Sequence, residues 1–472
     1  MNSNYSKFFF ISRAKIKFAL VSLSIATVLF NSHVVQAAQV LNNTIWYDTD
    51  GNPIEARMGT ILDNRLNPKA ATTWHKRFFW YGTNDKKCSG VKIDEQGNIQ
   101  PDTVSESVNV IIPPLSIGVD VNPDVYCERH VNAYSSTDLV HWQKADYFKV
   151  LEDGNPVSVG GNVLYHPTSG KYFLYASKSN KIYSSDGPVG TFNYLGTLNF
   201  GTYTLNSVTK HVQNAALGVY QNPANPEEAY VAVRSYITDT DDKKIYKLRI
   251  YKLNSEFDGI VAFNDDTDPP NGGLVWVESI RHVESPSLLI KNVNGVNYYY
   301  IFVSETSGWG ASKTWYKMAP EGFDQLPHLN QEQYSYDHPN GTNCINKLTN
   351  AIEPCTTYWK ELKSSTSVKP VKSFMTQHNA VISIPKTDGT EQFMYMGERW
   401  SDAIYDPDYM CVVGNPDCKY WTDYTSSYIG TYLTDDGFNP TNLDSHYHWA
   451  PVTFDSQGVP RVSPVMNWSN GL

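Results

Sequence analysis

One local pattern recurs five times along the chain, and this repeat restricts the possible folds more than any other feature. Aromatic-rich, strand-forming runs are centred near Tyr81, Tyr175, Val233, Phe302 and Tyr395. A run of small and apolar residues precedes each of them, and turn-forming residues such as HPTSG, QNPANP and PKTDG join the runs of a pair. Each unit is therefore predicted to be a β-hairpin.

Five β-hairpins in series predict an all-β fold, and specifically a five-bladed β-propeller. Helical heptads are absent, and the 30 Gly and 26 Pro are spread throughout the chain, which disfavours a helical solenoid. A ring of antiparallel sheets accommodates the repeat, and a β-sandwich with accidental strand similarity is the alternative. Long insertions are expected at 84–125 and 320–372, either as rims that narrow a cleft or as surface decoration.

The residues that open the five small-residue runs are the first candidates for a functional site. In a propeller the first strand of each blade lines the central channel, so its opening residue faces a ligand. These residues are Arg57, Gly160 with Ser158 just before it, Asn214, Glu284 and Gln377. Glu284 has the chemistry of a general acid, and a structural ion pair, with Arg281 for example, is the alternative. Gln377 is a neutral amide that can bind a sugar hydroxyl or position a water.

Aromatic side chains supply further candidates for carbohydrate binding. Trp309, Arg399, Trp400 and Trp449 lie in or beside the strand runs. Side chains of these types stack on sugar faces and hydrogen-bond to hydroxyls. The alternative is that the aromatic members of this set pack in the core between blades.

The first 37 residues are predicted to be a signal peptide. Four basic residues precede the apolar run 18–30, and Val35, Gln36 and Ala37 provide the pattern of a cleavage site. A transmembrane anchor is the alternative, but the apolar run is short for a bilayer. The propeller is therefore expected to span 38–472 and to be secreted or periplasmic.

Composition and cysteine usage exclude several partner classes. The net charge is −10, and the predicted signal peptide carries four basic and no acidic residues, so we expect no nucleic-acid partner. The six cysteines of an exported chain are expected to form disulfides, and sequence proximity suggests Cys344–Cys355, Cys411–Cys418 and Cys88–Cys127 among other connectivities. No CxxC pair is present, and no metal or cofactor is predicted.

Several segments together resemble glycoside hydrolase family 43, and most closely its exo-β-1,3-galactanase branch. They follow one another in the expected order at 48–62, 78–83, 133–142, 282–309, 376–385, 393–400 and 447–455. The resemblance covers most of the predicted mature chain. It implies a five-bladed propeller and a hydrolase that inverts configuration at the sugar.

The resemblance also implies roles for individual residues. Glu284 matches the general acid of the family's arginine-glutamate-alanine-proline segment. Gln377 matches the glutamine of the branch's serine-glutamine-serine-threonine segment, which is proposed there to hold the attacking water. The two side chains should then lie on opposite faces of the sugar, with room for a water between them. The expected substrate contacts are Arg57, Asn214, Trp309, Arg399 and Trp400.

The sequence departs from the family pattern at several acidic positions. Thr83 stands where the family has a sugar-binding glutamate, Gly160 replaces a glutamate of the second blade, and Asn214 replaces an aspartate that tunes the acid. Arg57 replaces a histidine, and close to Glu284 it would disfavour the protonated acid. Either the substrate differs from galactan or the chemistry has decayed.

Three functions therefore remain open at the level of sequence. The first is a glycosidase that cleaves galactose-containing or related β-linked polysaccharide, with Glu284 and Gln377 as catalytic residues. The second is a catalytically inactive glycan-binding propeller, and the third is a structural surface protein with a plugged channel. After signal cleavage we expect a monomer that binds a polysaccharide or oligosaccharide and does not associate with a membrane.

Overall fold

The computed structural model describes most of the predicted blades and leaves out the first 38 residues. Outside the described part lie the predicted signal peptide and every cysteine except Cys344, which is buried, so the three disulfide pairings stay predictions. The described residues are 39–42, 46–67, 77–83, 92–93, 99–100, 131–145, 147–156, 160–177, 179–238, 244–264, 271–280, 283–305, 312–327, 334–335, 343–346, 348–354, 359–365, 376–386, 388–399, 446–463 and 467–469.

Five β-sheets are arranged as blades around a central channel, which confirms the predicted five-bladed β-propeller. The inner strands of successive blades, from blade 1 to blade 5, lie next to one another along the channel. In blades 2 to 5 the small-residue run forms the inner strand, whereas in blade 1 only the end of that run does. In each blade the aromatic run forms the second strand. The paired strands are antiparallel, as the short turns between them require.

The first three blades follow one another along the chain. Blade 1 consists of Ile61–Asp63, Phe78–Thr83, Val131–Ser136 and Gln143–Lys144. Blade 2 consists of Gly160–Tyr165, Tyr172–Ser177, Lys181–Ser185 and Gly190–Thr197, with Phe148–Glu152 and Asn155–Pro156 added at its outer edge. Blade 3 consists of Gln213–Gln221, Ala229–Thr238, Lys244–Lys252 and Leu274–Ser279.

The last two blades complete the ring. Blade 4 consists of Val283–Val293, Val296–Glu305, Thr314–Pro320 and Lys360–Glu361. Blade 5 consists of Gln377–Pro385, Glu391–Arg399, His446–Phe454 and Pro460–Val462, with Lys363–Ser364 added at its outer edge. The added strands precede the inner strands of their blades in sequence. Phe148–Glu152 and Lys363–Ser364 join the sheets by parallel pairing, and Asn155–Pro156 pairs antiparallel with Phe148–Glu152.

Small elements decorate the ring. They are the two-stranded sheets Gln39–Leu41 with Asn467–Ser469, Lys92–Ile93 with Ile99–Gln100, Thr202–Leu205 with Val208–His211 and Phe263–Asn264 with Asn271–Gly272, the three-stranded sheet Tyr334–Ser335, Asn343–Asn346 and Ile352–Pro354, and the 3₁₀ turns Asn64–Leu66 and Phe323–Gln325. The predicted insertions thus carry one small sheet each in their described parts. None of the described helical turns has the length and apolar character of a membrane-spanning helix.

Aromatic side chains fill the seams between neighbouring blades. Trp80 of blade 1 packs edge-on against Tyr447 and Trp449 of blade 5, with ring centroids 4.6 and 4.8 Å away. Equivalent apolar clusters lie between blades 1 and 2, between blades 2 and 3, and among blades 3 to 5. Trp449 therefore lies in the core, which is the alternative that the sequence left open for it.

Candidate active site

The residues that open the inner strands occupy one equivalent register position in the five blades. Each of them pairs with a residue near the end of the second strand of its blade. The pairs are Arg57 with Thr83, Gly160 with Ser177, Asn214 with Ser235, Glu284 with Ser304, and Gln377 with Glu398. The five positions therefore surround the same end of the channel.

The inner strands of blades 3, 4 and 5 are bulged close to their opening residues. The register shifts between Asn214 and Ala216 in blade 3, and between His378 and Ala380 in blade 5. In blade 4 it shifts after Glu284, where Ser285 has a φ of 51°. A bulge bends a strand and re-aims the side chains beside it. These bulges set the directions of the side chains that meet across blades.

Blade 1 reaches the site by an irregular segment instead of a regular strand. Its inner strand begins only at Ile61, later than the predicted opening at Arg57. Met58 has a φ of 54°, and Gly59 lies so close to the Tyr81 carbonyl that a Cβ there would overlap it. These two residues interrupt the ladder, and Arg57 joins Thr83 through an isolated bridge.

A cavity of about 400 Å³ extends along the inner strands. Glu284, Gln377 and Glu398 line it at the end where the inner strands open. Most of the remaining wall comes from the apolar side chains of the inner strands. A cavity with this volume, a largely apolar wall and a few convergent polar groups is typical of a small-molecule site.

Glu284 and Gln377 are in direct contact. The Nε2 amide of Gln377 donates a hydrogen bond to Oε1 of Glu284 over 2.8 Å. The side chains therefore meet across the seam between blades 4 and 5, although the resemblance implied a water between them. The carboxyl groups of inverting glycosidases lie about 6.5 to 9.5 Å apart. A sugar and an attacking water fit between this pair only after its hydrogen bond opens.

Arg234, on the second strand of blade 3, is a cation that acts on Glu284. Its guanidinium lies over the ring of Tyr246, 4.0 Å from the ring centroid. Burial lowers the pKa of Arg234, and electrostatic interactions with Tyr246 and Glu284 oppose this shift. The attraction is mutual and favours the ionised carboxylate, whereas a general acid has to carry a proton. Arg281, the partner considered from sequence, lies outside the described residues.

His378 follows Gln377 and also lines the cavity. Its Nε2 atom shares a hydrogen bond of 2.9 Å with the Ser287 hydroxyl of blade 4, and that hydroxyl accepts another from the backbone nitrogen of Val381. Burial lowers the pKa of His378 to about 3. The imidazole is therefore neutral near pH 7, and its basicity is too low for a general base at that pH. It serves as a neutral bridge between the inner strands of blades 4 and 5.

Glu398 is a site residue that the sequence analysis did not single out. The carboxylate is 5% exposed and lines the cavity beside Gln377. Its Oε1 atom accepts hydrogen bonds from the backbone nitrogen of Met58 over 2.6 Å and from Nδ2 of Asn379 over 3.2 Å. Its place at the end of an aromatic strand, next to the predicted contacts Arg399 and Trp400, was the available signal.

Arg57 and Asn214 lie beside the cavity wall. Both side chains are buried, and their neighbours Met58 and Ala215 are the residues that line the cavity. Nδ2 of Asn214 donates to the carbonyl of Ser179 over 2.9 Å and to that of Ala176 over 3.4 Å. The asparagine thus points to blade 2 and holds it to blade 3.

The other predicted substrate contacts fall largely outside the described part of the chain. Trp309 and Trp400 are not described, and of Arg399 only the backbone is, at the end of Glu391–Arg399. Their roles stay predictions. Within the described ranges, His, Cys, Asp and Glu side chains do not gather in any group of three that would suit a metal ion.

Comparison with solved structures shows similarity to enzymes of glycoside hydrolase family 43. An exo-β-1,3-galactanase from Phanerochaete chrysosporium, solved with β-1,3-galactotriose, has a TM-score of 0.50 at 16% identity, over 92% of this chain and 68% of that one. A family 43 β-1,3-galactosidase, solved with galactodeoxynojirimycin, has a TM-score of 0.51 at 17% identity, over 91% of this chain and 100% of that one. No protein-family model and no curated protein sequence matches the chain. The chain therefore has the fold of family 43 glycoside hydrolases, which confirms the predicted resemblance at the level of fold.

Proposed function

We propose that the chain is a glycoside hydrolase that cleaves galactose-containing or related β-linked saccharides. The observation that carries this proposal is the meeting of Glu284 and Gln377 in the wall of one cavity, from equivalent positions on adjacent blades. A carboxyl group can protonate a leaving oxygen, and an amide can hold a water by hydrogen bonds. The similar solved structures, a β-1,3-galactanase and a β-1,3-galactosidase, support the choice of substrate class.

In the proposed reaction Glu284 protonates the glycosidic oxygen as its bond to the sugar carbon breaks, and Gln377 positions the water that forms the new bond from the opposite face. The proton that this water loses passes to solvent, and Glu284 regains a proton from solvent after the product leaves. The substrate has to separate the two side chains first. Opening their hydrogen bond costs about 1.5 to 3 kcal/mol, because the acceptor is a carboxylate, and contacts with the sugar have to offset this cost. This single displacement inverts the sugar carbon. We also propose that the chain is exported after cleavage behind Ala37 and acts outside the cytoplasm.

A specific observation favours a second candidate, a glycan-binding propeller without catalysis. Arg234 and the Gln377 amide both stabilise the ionised form of Glu284. Thr83 and Asn214 supply no carboxylate that would counter them, which leaves Glu398, beside Gln377 in the cavity wall, as the neighbouring carboxylate. If Glu284 stays ionised when the sugar is bound, the cavity retains its ligand without cleaving it.

Reducing-sugar release by the purified 38–472 protein from a panel of galactans, arabinans and xylans tests both candidates. We expect release from a galactose-containing polymer and a loss of about 10² to 10⁴-fold in Glu284→Gln. Glu256→Gln, at an exposed turn of blade 3, is the matched control and should keep full activity. Binding of a polymer without release by any variant would establish the second candidate instead.

A further inference from the structure

Glu398 breaks a pattern that the other four blades share. The equivalent residues are Thr83, Ser177, Ser235 and Ser304, all of which carry a hydroxyl. The Thr83 hydroxyl donates to the carbonyl of Arg57, and the Ser304 hydroxyl donates to that of Glu284. These hydroxyls tie a second strand to the inner strand of its own blade. An ionised carboxylate cannot donate such a bond, so Glu398 serves another purpose.

Two donors fix the Glu398 carboxylate at the junction of blades 5 and 1. One is the backbone nitrogen of Met58, which belongs to the blade 1 segment beside the cavity. The other is the amide of Asn379, which lies in the bulge of blade 5 and also donates to the carbonyl of Gly59. Hydrogen bonds from N–H groups to a carboxylate stabilise its ionised form and hold its direction.

Gln377 lies between two carboxylates. It pairs with Glu398 across the ladder of blade 5 and donates to Glu284 of blade 4. All three side chains line the same cavity, so they form a row of acceptor, amide and acceptor along its wall. Glu398 in blade 5 occupies the same register position as Thr83 in the neighbouring blade 1. The row therefore has a carboxylate one blade away from Thr83.

We propose that Glu398 is a substrate-binding carboxylate, which accepts hydrogen bonds from hydroxyls of the sugar held beside Glu284 and Gln377. This inference rests on the proposed function, because it takes the ligand to be a galactose-containing or related saccharide. An ionised acceptor on the wall favours a sugar with free hydroxyls. It repels a uronate or a sulfated sugar at the same place, and so contributes specificity for neutral saccharides.

Calorimetric titration with β-1,3-linked galactobiose tests the proposal, carried out in the Glu284→Gln background so that the ligand is not consumed. The comparison is between that background and the same protein with Glu398→Gln. Glutamine keeps the size of the side chain and an oxygen that can accept from Met58 and Asn379, so the fold is retained. We expect Kd to rise about tenfold to a hundredfold, because hydrogen bonds to charged groups contribute about 1.5 to 3 kcal/mol.

Glu391→Gln, at the other end of the same strand, is the matched control and should leave Kd unchanged. Deoxygalactosides that lack one hydroxyl each identify the contact, because loss of the hydroxyl bound by Glu398 should have little further effect in Glu398→Gln. An unchanged Kd together with a lower Tm in Glu398→Gln would show a purely structural clamp and overturn this inference alone. Absence of any saccharide binding by the Glu284→Gln protein, and by the parent chain, would overturn the proposed function and this inference with it.

Discussion

Whether Glu284 can act as an acid is decided by a few neighbouring side chains. The Gln377 amide and Arg234 both favour the carboxylate anion, while the partly buried position of Glu284 favours the neutral acid. A bound sugar that displaces Gln377 removes one of these two stabilising contacts. In the proposed reaction, this loss of the amide contact favours the protonated form of Glu284 that general acid catalysis needs.

His378 gives the molecule a specific dependence of stability on pH. Its pKa is lowered from 6.5 to about 3 by burial, so between these values the unfolded chain binds a proton that the folded chain does not. This contribution to stability is complete above pH 6.5 and is lost as the pH falls towards 3. The slope it contributes is about 1.4 kcal/mol per pH unit within that window. We expect His378→Gln to remove this slope from the urea unfolding free energy measured between pH 7 and pH 5.

His211→Gln is the control for this measurement, because His211 is exposed on a hairpin of the rim. It should leave the pH slope of the parent chain intact. The comparison uses slopes, so a uniform loss of stability in His378→Gln does not affect it. Equal slopes for parent and His378→Gln would show that the folded chain protonates this histidine over the same pH range as the unfolded chain, and so that its pKa is not lowered.

Asn214 cannot be exchanged for the aspartate that the family pattern has at this position. Its Nδ2 group donates to the carbonyls of Ser179 and Ala176, and a carboxylate oxygen there would face two other acceptors. We expect Asn214→Asp to lower the free energy of unfolding by about 2 to 4 kcal/mol at pH 7. Protonation of the aspartate should recover part of this loss at pH 4.

Urea unfolding of Asn214→Asp at both pH values, beside Asn193→Asp, checks this prediction. Asn193 is exposed on blade 2, and its exchange should change stability by less than about 0.5 kcal/mol. Equal effects of the two exchanges would mean that the Asn214 amide has no structural role.

Among the elements, the inner and second strands were predictable from sequence, and the outer strands were less so. The inner and second strands are joined by short turns, so their pairing is local and leaves a visible signature of aromatic and small residues. The strand Phe148–Glu152 instead pairs in parallel with Gly190–Thr197, and the other strands of blade 2 lie between these two in the sequence. Parallel pairing over such a separation has no turn signal, and no local pattern indicates it.

The difference between local and long-range contacts also explains which site residues could be found from the sequence. Glu284 and Gln377 were recognised because they open predicted strands. Their contact, and the effect of Arg234 on Glu284, depend on bulges and on the angle between neighbouring blades. Glu398 was missed although it lies beside Arg399 at the end of a predicted strand, because its difference from the hydroxyl-bearing residues of the other blades appears only when the five equivalent pairs are compared in register.

A buried ion pair connects the outer parts of blades 3 and 4. Lys317 donates to Glu278 over 2.5 Å and to the Pro327 carbonyl over 2.8 Å, and Trp359 donates to the other oxygen of Glu278. Glu278 and Lys317 are 0% and 3% exposed. Removal of one partner leaves the other charge buried, so we expect Lys317→Met and Glu278→Gln each to cost about 3 to 5 kcal/mol.

A double-mutant cycle in urea checks this prediction about the seam. The variant with both exchanges should lose much less than the sum of the two single losses, because no uncompensated charge remains. Lys313→Met with Glu361→Gln provides a matched control, since that pair is partly exposed and lies in the same blade. Additive losses at Glu278 and Lys317 would show that the pair contributes no mutual stabilisation.

For the whole molecule, the ring is closed by contacts between its two ends. The strand Gln39–Leu41 pairs with Asn467–Ser469, and Trp46 packs with Trp80 and Trp449 where blades 1 and 5 meet. In the described part of the chain, blades 1 and 5 are the first and the last blade of the sequence and meet through non-covalent contacts. The separation between Glu398 and Met58, and with it the shape of the cavity, therefore depends on how firmly this seam is held.

Asn42 offers a test of how firmly the seam between blades 1 and 5 is held. Its side chain is buried, donates to the Trp449 carbonyl and accepts from the Trp449 backbone nitrogen, both over 2.7 Å. Asn42→Ala leaves two buried backbone groups unsatisfied, so we expect a loss of about 2 to 4 kcal/mol in the free energy of unfolding. Amide hydrogen exchange should speed up in Phe78–Thr83 and His446–Phe454 on either side of the seam, and remain unchanged in Ala229–Thr238 of blade 3. Asn193→Ala, away from the seam, should alter neither the free energy of unfolding nor the exchange rates. A uniform rise in exchange over all blades in Asn42→Ala would contradict the prediction, because it would mean that the ring opens as one cooperative unit.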